Sequence, residues 1–240
     1  PRVSEYLAGR HVGGSGRAGA ALARQCRLRC EDRIVMKDFL MKLIGLFVAS
    51  RAPTKNKQAL EIKLTPKRSL AWGNRVSAAF RDKVFLICTI LGIDPDYLMA
   101  CIAWESNETF SPKVKNMAGS GATGLIQFMP KTAIGLGTTV DKLAAMSPEE
   151  QLDWVLAYFK PYRSKLHTLS DLYLAILWPA GIGKPESFVL WSKGTSPTTY
   201  RQNAGLDANA DHDITKAEAA AKVQAKLVRG RQAQFLWVEE

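Results

Sequence analysis

Glu105-Ser106-Asn107-Glu108-Thr109-Phe110-Ser111-Pro112, followed by Gly121-Ala122-Thr123-Gly124-Leu125-Ile126-Gln127-Phe128-Met129-Pro130, is the stretch on which the reading of this chain turns. An acid closes an apolar run, Leu98 to Trp104. A loop of small residues, Gly119-Ser120-Gly121-Ala122, comes next, and then a second apolar run that carries one amide, Gln127. Upstream, Asp94-Pro95-Asp96 opens a helix with Asp94 as N-cap and proline in the first turn. Leu98, Ile102 and Glu105 then share one face, and the helix ends near Glu105.

That placement has a chemical consequence. Apolar surroundings disfavour a charged carboxylate, and the negative end of a helix dipole acts in the same direction. An acid held protonated near neutral pH is what cleavage of a glycosidic bond requires, because the leaving oxygen must gain a proton. Trp104 and Ile102 precede Glu105, and Phe110 and Phe128 are candidate walls. The small-residue loop leaves room for a sugar chain beside the backbone, and Gln127 offers an amide to an acetamido or hydroxyl group. A helix-terminal Glu is by itself usually a surface carboxylate; the loop and the amide are what argue for a site.

The same helical reading extends in both directions. Val76, Phe80, Val84, Ile87 and Ile90 predict a helix over 71–91 with Gly92 as C-cap. Ser147-Pro148-Glu149-Glu150 is a capping box that starts a helix with the stripe Leu152, Val155, Leu156 and Phe159, stopped before Pro161. Thr168 or Ser170 begins another, ended by Pro179, and an Ala/Lys-rich helix spans about 215–229. No alternating pattern of useful length predicts a strand, and no repeat is present. The fold class is mainly α.

At 240 residues and 47% apolar composition, the chain can bury a sizeable core. No run approaches the ~20 apolar residues of a membrane span. Its formal charge of +11 is unevenly spread. Residues 1–68 carry 15 Lys and Arg against 5 Asp and Glu, whereas residues 69–240 carry 18 against 17. The expected organisation is a basic extension and linker over 1–68, partly helical or disordered, a catalytic domain over 69–205, and a C-terminal unit over 206–240. The basic extension implies an anionic partner, either nucleic acid, anionic lipid or an envelope polymer, or else a solvated tail. Within it, 36–50 resembles a short signal-type stretch or an amphipathic surface helix. A chain opening on Pro1 is expected to be trimmed or a fragment. Cys26 and Cys30 lack the second pair a zinc site needs, and Cys88 and Cys101 read as core thiols. His11, His167 and His212 show no ligand spacing.

From Glu105 to Ala133 the sequence resembles the lysozyme-like domain of soluble lytic transglycosylases, with the pattern E-S-x-F-x-P…G-A-x-G-L-M-Q-x-M-P-x-T-A. It has Glu105, Ser106, Phe110 and Pro112, then Gly121, Ala122, Gly124, Leu125, Gln127, Met129, Pro130, Thr132 and Ala133. The wider 69–205 segment looks like peptidoglycan-degrading enzymes of tailed bacteriophages. Phe110 stands two positions late, with Glu108 in the insertion. The family's A-Y-N-x-G-x-G segment appears as Leu177-Trp178-Pro179-Ala180-Gly181-Ile182-Gly183, so its tyrosine is replaced by Trp178. Tyr173 or Tyr200 is the candidate substitute.

The resemblance implies a lysozyme-like fold, Glu105 as the catalytic acid and base, and Ser120, Gln127, Met129, Trp178 and Tyr173 as substrate contacts. It implies bacterial peptidoglycan as substrate, no cofactor for catalysis and no stable oligomer. The enzyme would act at the cell wall, in the periplasm, as part of a phage virion or as a lysis protein. A single acid favours a 1,6-anhydro product formed with the substrate's own acetamido group; Glu108 as a second acid would favour hydrolysis, as in an endolysin. An inactive wall-binding module and a nucleic-acid-binding protein are the remaining alternatives.

A second motif lies downstream. Asp207-Ala208-Asn209-Ala210-Asp211-His212-Asp213-Ile214-Thr215-Lys216-Ala217-Glu218 fits the twelve-residue EF-hand loop. Asp207, Asn209, Asp211, Asp213 through its carbonyl, and Glu218 are the expected ligands of a structural Ca2+. His212 stands where glycine usually makes the turn, at about 1 kcal/mol for a left-handed non-glycine residue.

Overall fold

The computed structural model describes residues 67–116 and 119–240. The basic segment with Cys26, Cys30 and the 36–50 stretch lies outside the described residues. Residues 69–239 fall within one compact unit that contains eight α-helices among the described residues.

Helix α1 runs Ala78–Leu91 and α2 Pro95–Glu105. Both boundaries follow local chemistry. Ser77 Oγ accepts the Phe80 N–H at 3.0 Å, Gly92 ends α1 at φ 70°, and Asp94 accepts the Asp96 N–H at 2.9 Å. Helix α1 begins later than the apolar spacing predicts, because residues 71–77 are pinned elsewhere. Trp72 is left-handed at φ 64° and fully buried. Its indole N–H donates to Lys226 O at 2.9 Å and its backbone N–H to Gly230 O at 3.1 Å. Ile90, assigned to the buried stripe by spacing, is 41% exposed.

Helix α2 is sheathed on every side: Leu98 through Ala103 are all buried. Short helices α3 (Pro130–Gly135) and α4 (Val140–Ala145) lead into α5 (Pro148–Phe159). The capping box of α5 forms as the sequence predicts, and Leu152, Val155 and Phe159 are buried. The chain then tightens to a 3-10 turn over Lys160–Lys165 before α6 (Leu169–Leu177), capped by Thr168. Helix α7 spans Pro197–Asn203 and α8 Lys216–Gly230. Helix α8 packs on α2 and α6, so the C-terminal helix lies against the helix that carries Glu105.

Among the described residues, four short strands complete the unit. Strand β1 (Ser69–Leu70) pairs antiparallel with β4 (Trp237–Val238), and β2 (Val189–Ser192) with β3 (Asp213–Thr215). They contain two to four residues, too few for a period-two pattern to show in sequence. Among the described residues no single helix is long and apolar enough to cross a membrane.

Lys216 and Asp171 form a buried ion pair at 2.5 Å between α8 and α6. Lys216 Nζ also donates to Lys184 O at 2.8 Å, and Asp171 Oδ1 accepts the Gly183 N–H at 2.8 Å. Burial alone would raise the Asp171 carboxyl. Hydrogen bonds from Lys216 and Gly183, with the Lys216 charge, outweigh it and hold the carboxyl below its ordinary value.

Candidate active site

Glu105 is the last residue of α2 and only 3% exposed. Ser106 turns the chain there. It is buried, and its Oγ donates to Ile102 O at 2.7 Å while accepting the Phe110 N–H at 3.1 Å. The Glu108 N–H closes on Ala103 O at 2.7 Å. In the turn that follows, Asn107, Glu108 and Phe110 all have positive φ, at 55°, 63° and 52°. None is glycine, and such residues persist only where the surroundings hold them. Phe110 is held between Trp72 and Phe80, at ring separations of 6.0 and 6.3 Å.

Two tyrosines, Tyr173 buried and Tyr158 half-buried, lie in the field of Glu105. Tyr173 is 1% exposed and accepts the Trp104 indole N–H at 3.2 Å. Burial first, and then the Glu105 charge, keep its hydroxyl well above the usual phenol range. Tyr158, on α5, donates to Ala175 O at 2.7 Å and is raised by burial, Tyr162 and Glu105. The hydroxyls at this site are therefore proton-bearing at any ordinary pH. Tyr158 was not singled out in the sequence, where it reads as a core neighbour of Phe159. Phe128 meets Tyr158 edge-on at 6.0 Å, which brings the glycine-rich segment toward the acid. The other candidate tyrosine, Tyr200, is committed elsewhere: its hydroxyl donates to Asp207 at 2.7 Å, a bond that pushes its pKa up to about 12.

The 114–128 loop folds back on itself. Asn116 N–H donates to Ala122 O, Gly124 N–H to Val114 O, and Thr123 and Phe128 exchange both backbone bonds. Gln127 is left-handed at φ 52°, and its Nε2 donates to Val114 O and Gly124 O at 3.1 and 3.0 Å. That side of the amide thus holds the loop. Ser120 Oγ accepts the Ala122 N–H at 3.2 Å; Met129 and Trp178 are half-buried, and Trp178 lies 5.9 Å from Trp191.

Gln151, fully buried on α5, was read in sequence only as a helix position. Its Oε1 accepts the Leu125 N–H at 2.6 Å, and its Nε2 donates to Pro112 O and Leu143 O. One side chain therefore joins the turn after Glu105 to the glycine-rich loop. Gly124 must be glycine for this: its φ is 88°, and a Cβ would stand 2.4 Å from Gln151 Oε1. Gly124→Ala is expected to destabilise the chain by about 1–3 kcal/mol, visible as a lower Tm; an unchanged Tm would contradict the packing described.

Residues 89–177 match the model of the Transglycosylase SLT domain. The chain is a lysozyme-like enzyme of the peptidoglycan-lytic class. Members of that family are lytic transglycosylases that cleave peptidoglycan. The match covers α2, the 114–128 loop, α5 and α6, which together carry Glu105, Gln127, Gln151, Tyr158 and Tyr173. No curated protein matches the chain.

Glu108 does not stand as a free second acid. Its carboxylate pairs with Lys226 Nζ and with Arg229 Nη2 at 3.3 Å, both on α8. At the 207–218 loop, Ala210 and His212 are left-handed, at φ 60° and 71°, so histidine adopts the turn glycine usually makes. Asp207 Oδ2 accepts Tyr200 OH and the His212 N–H, Asp211 Oδ1 the Asp213 N–H, and Glu218 the Ala208 and Thr215 N–H groups. Asp207 Oδ1 is buried without a hydrogen-bond partner. Ile214 is fully buried and paired with Trp191 of β2.

Proposed function

We propose that this enzyme cleaves the β-1,4 bond between N-acetylmuramic acid and N-acetylglucosamine and releases 1,6-anhydro ends. Glu105 first protonates the glycosidic oxygen. The substrate's acetamido group stabilises the cation-like centre, so no second enzyme carboxylate is needed. Glu105 then takes the proton of the muramic C6 hydroxyl, which attacks intramolecularly at high effective molarity. The observation that carries this choice is Glu108, whose carboxylate is engaged by Lys226 and Arg229 rather than offered as a second acid. Tyr173, buried beside Trp104 and within the field of Glu105, supplies the hydroxyl that the Trp178 substitution removes. Gln127, Ser120, Met129 and Trp178 line the glycan path.

Mass spectrometry of muropeptides released from purified wall tests the product. Anhydro ends are expected; reducing ends throughout would make the enzyme a hydrolytic lysozyme. The second reading, hydrolysis, has in its favour the loss of the family's Y-N pair at Trp178-Pro179. The enzyme works as a monomer at the bacterial cell wall, brought there as a phage virion component or lysis protein, a reading supported by resemblance. The basic segment is its contact with an anionic polymer.

The 207–218 loop would hold a structural Ca2+. The donor set is hard oxygens, and the buried, unpaired Asp207 Oδ1 is an acceptor that suits a cation. Asp207, Asn209, Asp211, the Asp213 carbonyl and Glu218 would hold it; bound there, the ion supplies charge that ties the loop to the start of α8. Glu218, whose two oxygens now accept the Ala208 N–H and the Thr215 N–H and hydroxyl, would turn toward the ion. Titration with Ca2+ is expected to raise Tm, by about 2.7 kcal/mol of added stability at a hundredfold excess over Kd. Asp207→Ala should erase the shift; no shift in the unaltered chain would contradict calcium binding.

A further inference from the structure

We infer that Glu108, in the two-residue insertion that follows the catalytic acid, is a positioning residue: clamped by Lys226 and Arg229 of α8, it fixes the strained turn that sets the direction of Glu105. The inference rests on the reading of Glu105 as the reacting acid.

Three left-handed non-glycine residues lie within five positions of Glu105. Each such residue is disfavoured and relaxes unless outside contacts over-determine it. Local bonds hold only part of the turn. Ser106 secures Ile102 and Phe110, and Phe110 is packed by Trp72 and Phe80. Between these fixed points stand Asn107, Glu108 and Thr109: the Glu108 N–H closes on Ala103 O, Thr109 Oγ1 donates to Ser106 O, and the Asn107 side chain is exposed. The Glu108 carboxylate is the side chain there that reaches another element.

The backbone that carries its partners is itself fixed. Lys226 O accepts the Trp72 indole N–H, and the Arg229 guanidinium lies 5.9 Å from the Trp72 ring and 5.2 Å from Phe235. The Gly230 carbonyl takes the Trp72 backbone N–H, and a Cβ at Gly230 would stand 2.3 Å from the indole nitrogen. The last turn of α8 is therefore a rigid anchor. Glu108 is 19% exposed at its side chain and Lys226 21%, enough burial for the pair to act as more than a screened surface contact. Glu108 and Glu105 stand on one short turn, so a shift at Glu108 moves the end of α2. Misplacing a reacting group by about 1 Å lowers turnover by up to roughly 10²-fold.

The test is a double-mutant cycle in the full chain with Glu108→Gln and Lys226→Met, measuring kcat, KM and pH profile on purified glycan strands, with Tm recorded beside them. Each single variant is expected to lower kcat by roughly 10- to 100-fold with KM within about twofold, the signature of lost transition-state placement. The double variant should lose little more than either single one, because one clamp is broken either way. The pH profile should keep its limbs in Glu108→Gln, because the substitution leaves the proton-carrying Glu105 in place. Lys83→Met removes the 2.8 Å Lys83–Asp153 pair between α1 and α5 and serves as a control for mere loss of stability; it should leave kcat unchanged. Unchanged kcat in Glu108→Gln, independent multiplying losses, a vanished pH limb, or an equal loss in Lys83→Met would each overturn the inference. If Glu108→Gln does not fold, Lys226→Met and Arg229→Met carry the same comparison. An active Glu105→Gln enzyme would instead sink the reading of the site; an inactive one beside a normal Glu108→Gln enzyme would sink the clamp alone.

Discussion

Replacing Glu105 with Gln is expected to lower lysis of purified cell wall by roughly 10²–10⁴-fold, the range that a positioned general acid and base contributes. The substitution keeps the volume and the hydrogen-bonding shape of the side chain but removes the transferable proton. Because Glu105 sits at the buried end of α2, with Leu98–Ala103 packed on all sides and Ser106 fastening the turn, the fold should survive. Tm and the far-UV spectrum are therefore expected to stay close to those of the unaltered chain. Loss of activity together with loss of folding would not support the assignment; retained activity in a folded variant would refute it. Glu108→Gln should not mimic this loss in full, because Glu108 acts through the turn and not on the proton.

Lys216→Met is expected to produce the largest loss of stability. It leaves the Asp171 carboxylate buried without its cation and removes the donor to Lys184 O. Breaking one side of a buried ion pair typically destabilises by about 3–5 kcal/mol, and at roughly 2–4 °C per kcal/mol for a domain of this size Tm should fall by about 10 °C. The dependence on pH has a definite sign. Asp171 in the fold ionises below its ordinary value of 3.8, so its contribution to stability is fully present above that value. It is lost as the pH falls through the depressed folded value, where the carboxylate is protonated. The gap in Tm between the two chains should therefore narrow in acid and be widest near neutrality. A gap that grows on acidification would contradict the pairing. Asp171 also takes the Gly183 N–H, so the variant should loosen the segment that follows Trp178. Thermal melts at several pH values separate these outcomes.

What was legible in the sequence was governed by local chemistry. Asp94, Ser147 and Thr168 announce helix starts because a side-chain oxygen satisfies a backbone N–H two or three residues away, a bond that needs no partner from elsewhere. Gly92 ends α1 for a reason equally local, its left-handed backbone. Glu105 could be named because an acid at the end of an apolar run, with a small-residue loop and an amide after it, is a chemical pattern as well as a family one. His212 shows the limit of such rules: glycine is expected there, yet histidine takes the same left-handed backbone.

The remainder depended on which distant segments meet. The late start of α1 follows from Trp72 being drawn to Lys226 and Gly230, more than 150 residues away. Gln151 reads as one position on a helix until the fold gives its amide three backbone partners from separate segments. Tyr173 is one of two candidate hydroxyls in sequence and Tyr158 is not among them; the fold brings both into the field of Glu105, from α6 and α5. Glu108 reads in sequence as a candidate second acid; the tertiary structure lays α8 beside the turn and places Lys226 and Arg229 on its carboxylate. The sequence by itself determined the helix starts that a capping side chain marks, at Asp94, Ser147 and Thr168. Only the tertiary structure decided which distant side chains meet the turn after Glu105, because a hydrogen bond or ion pair between remote elements leaves no periodicity in the chain.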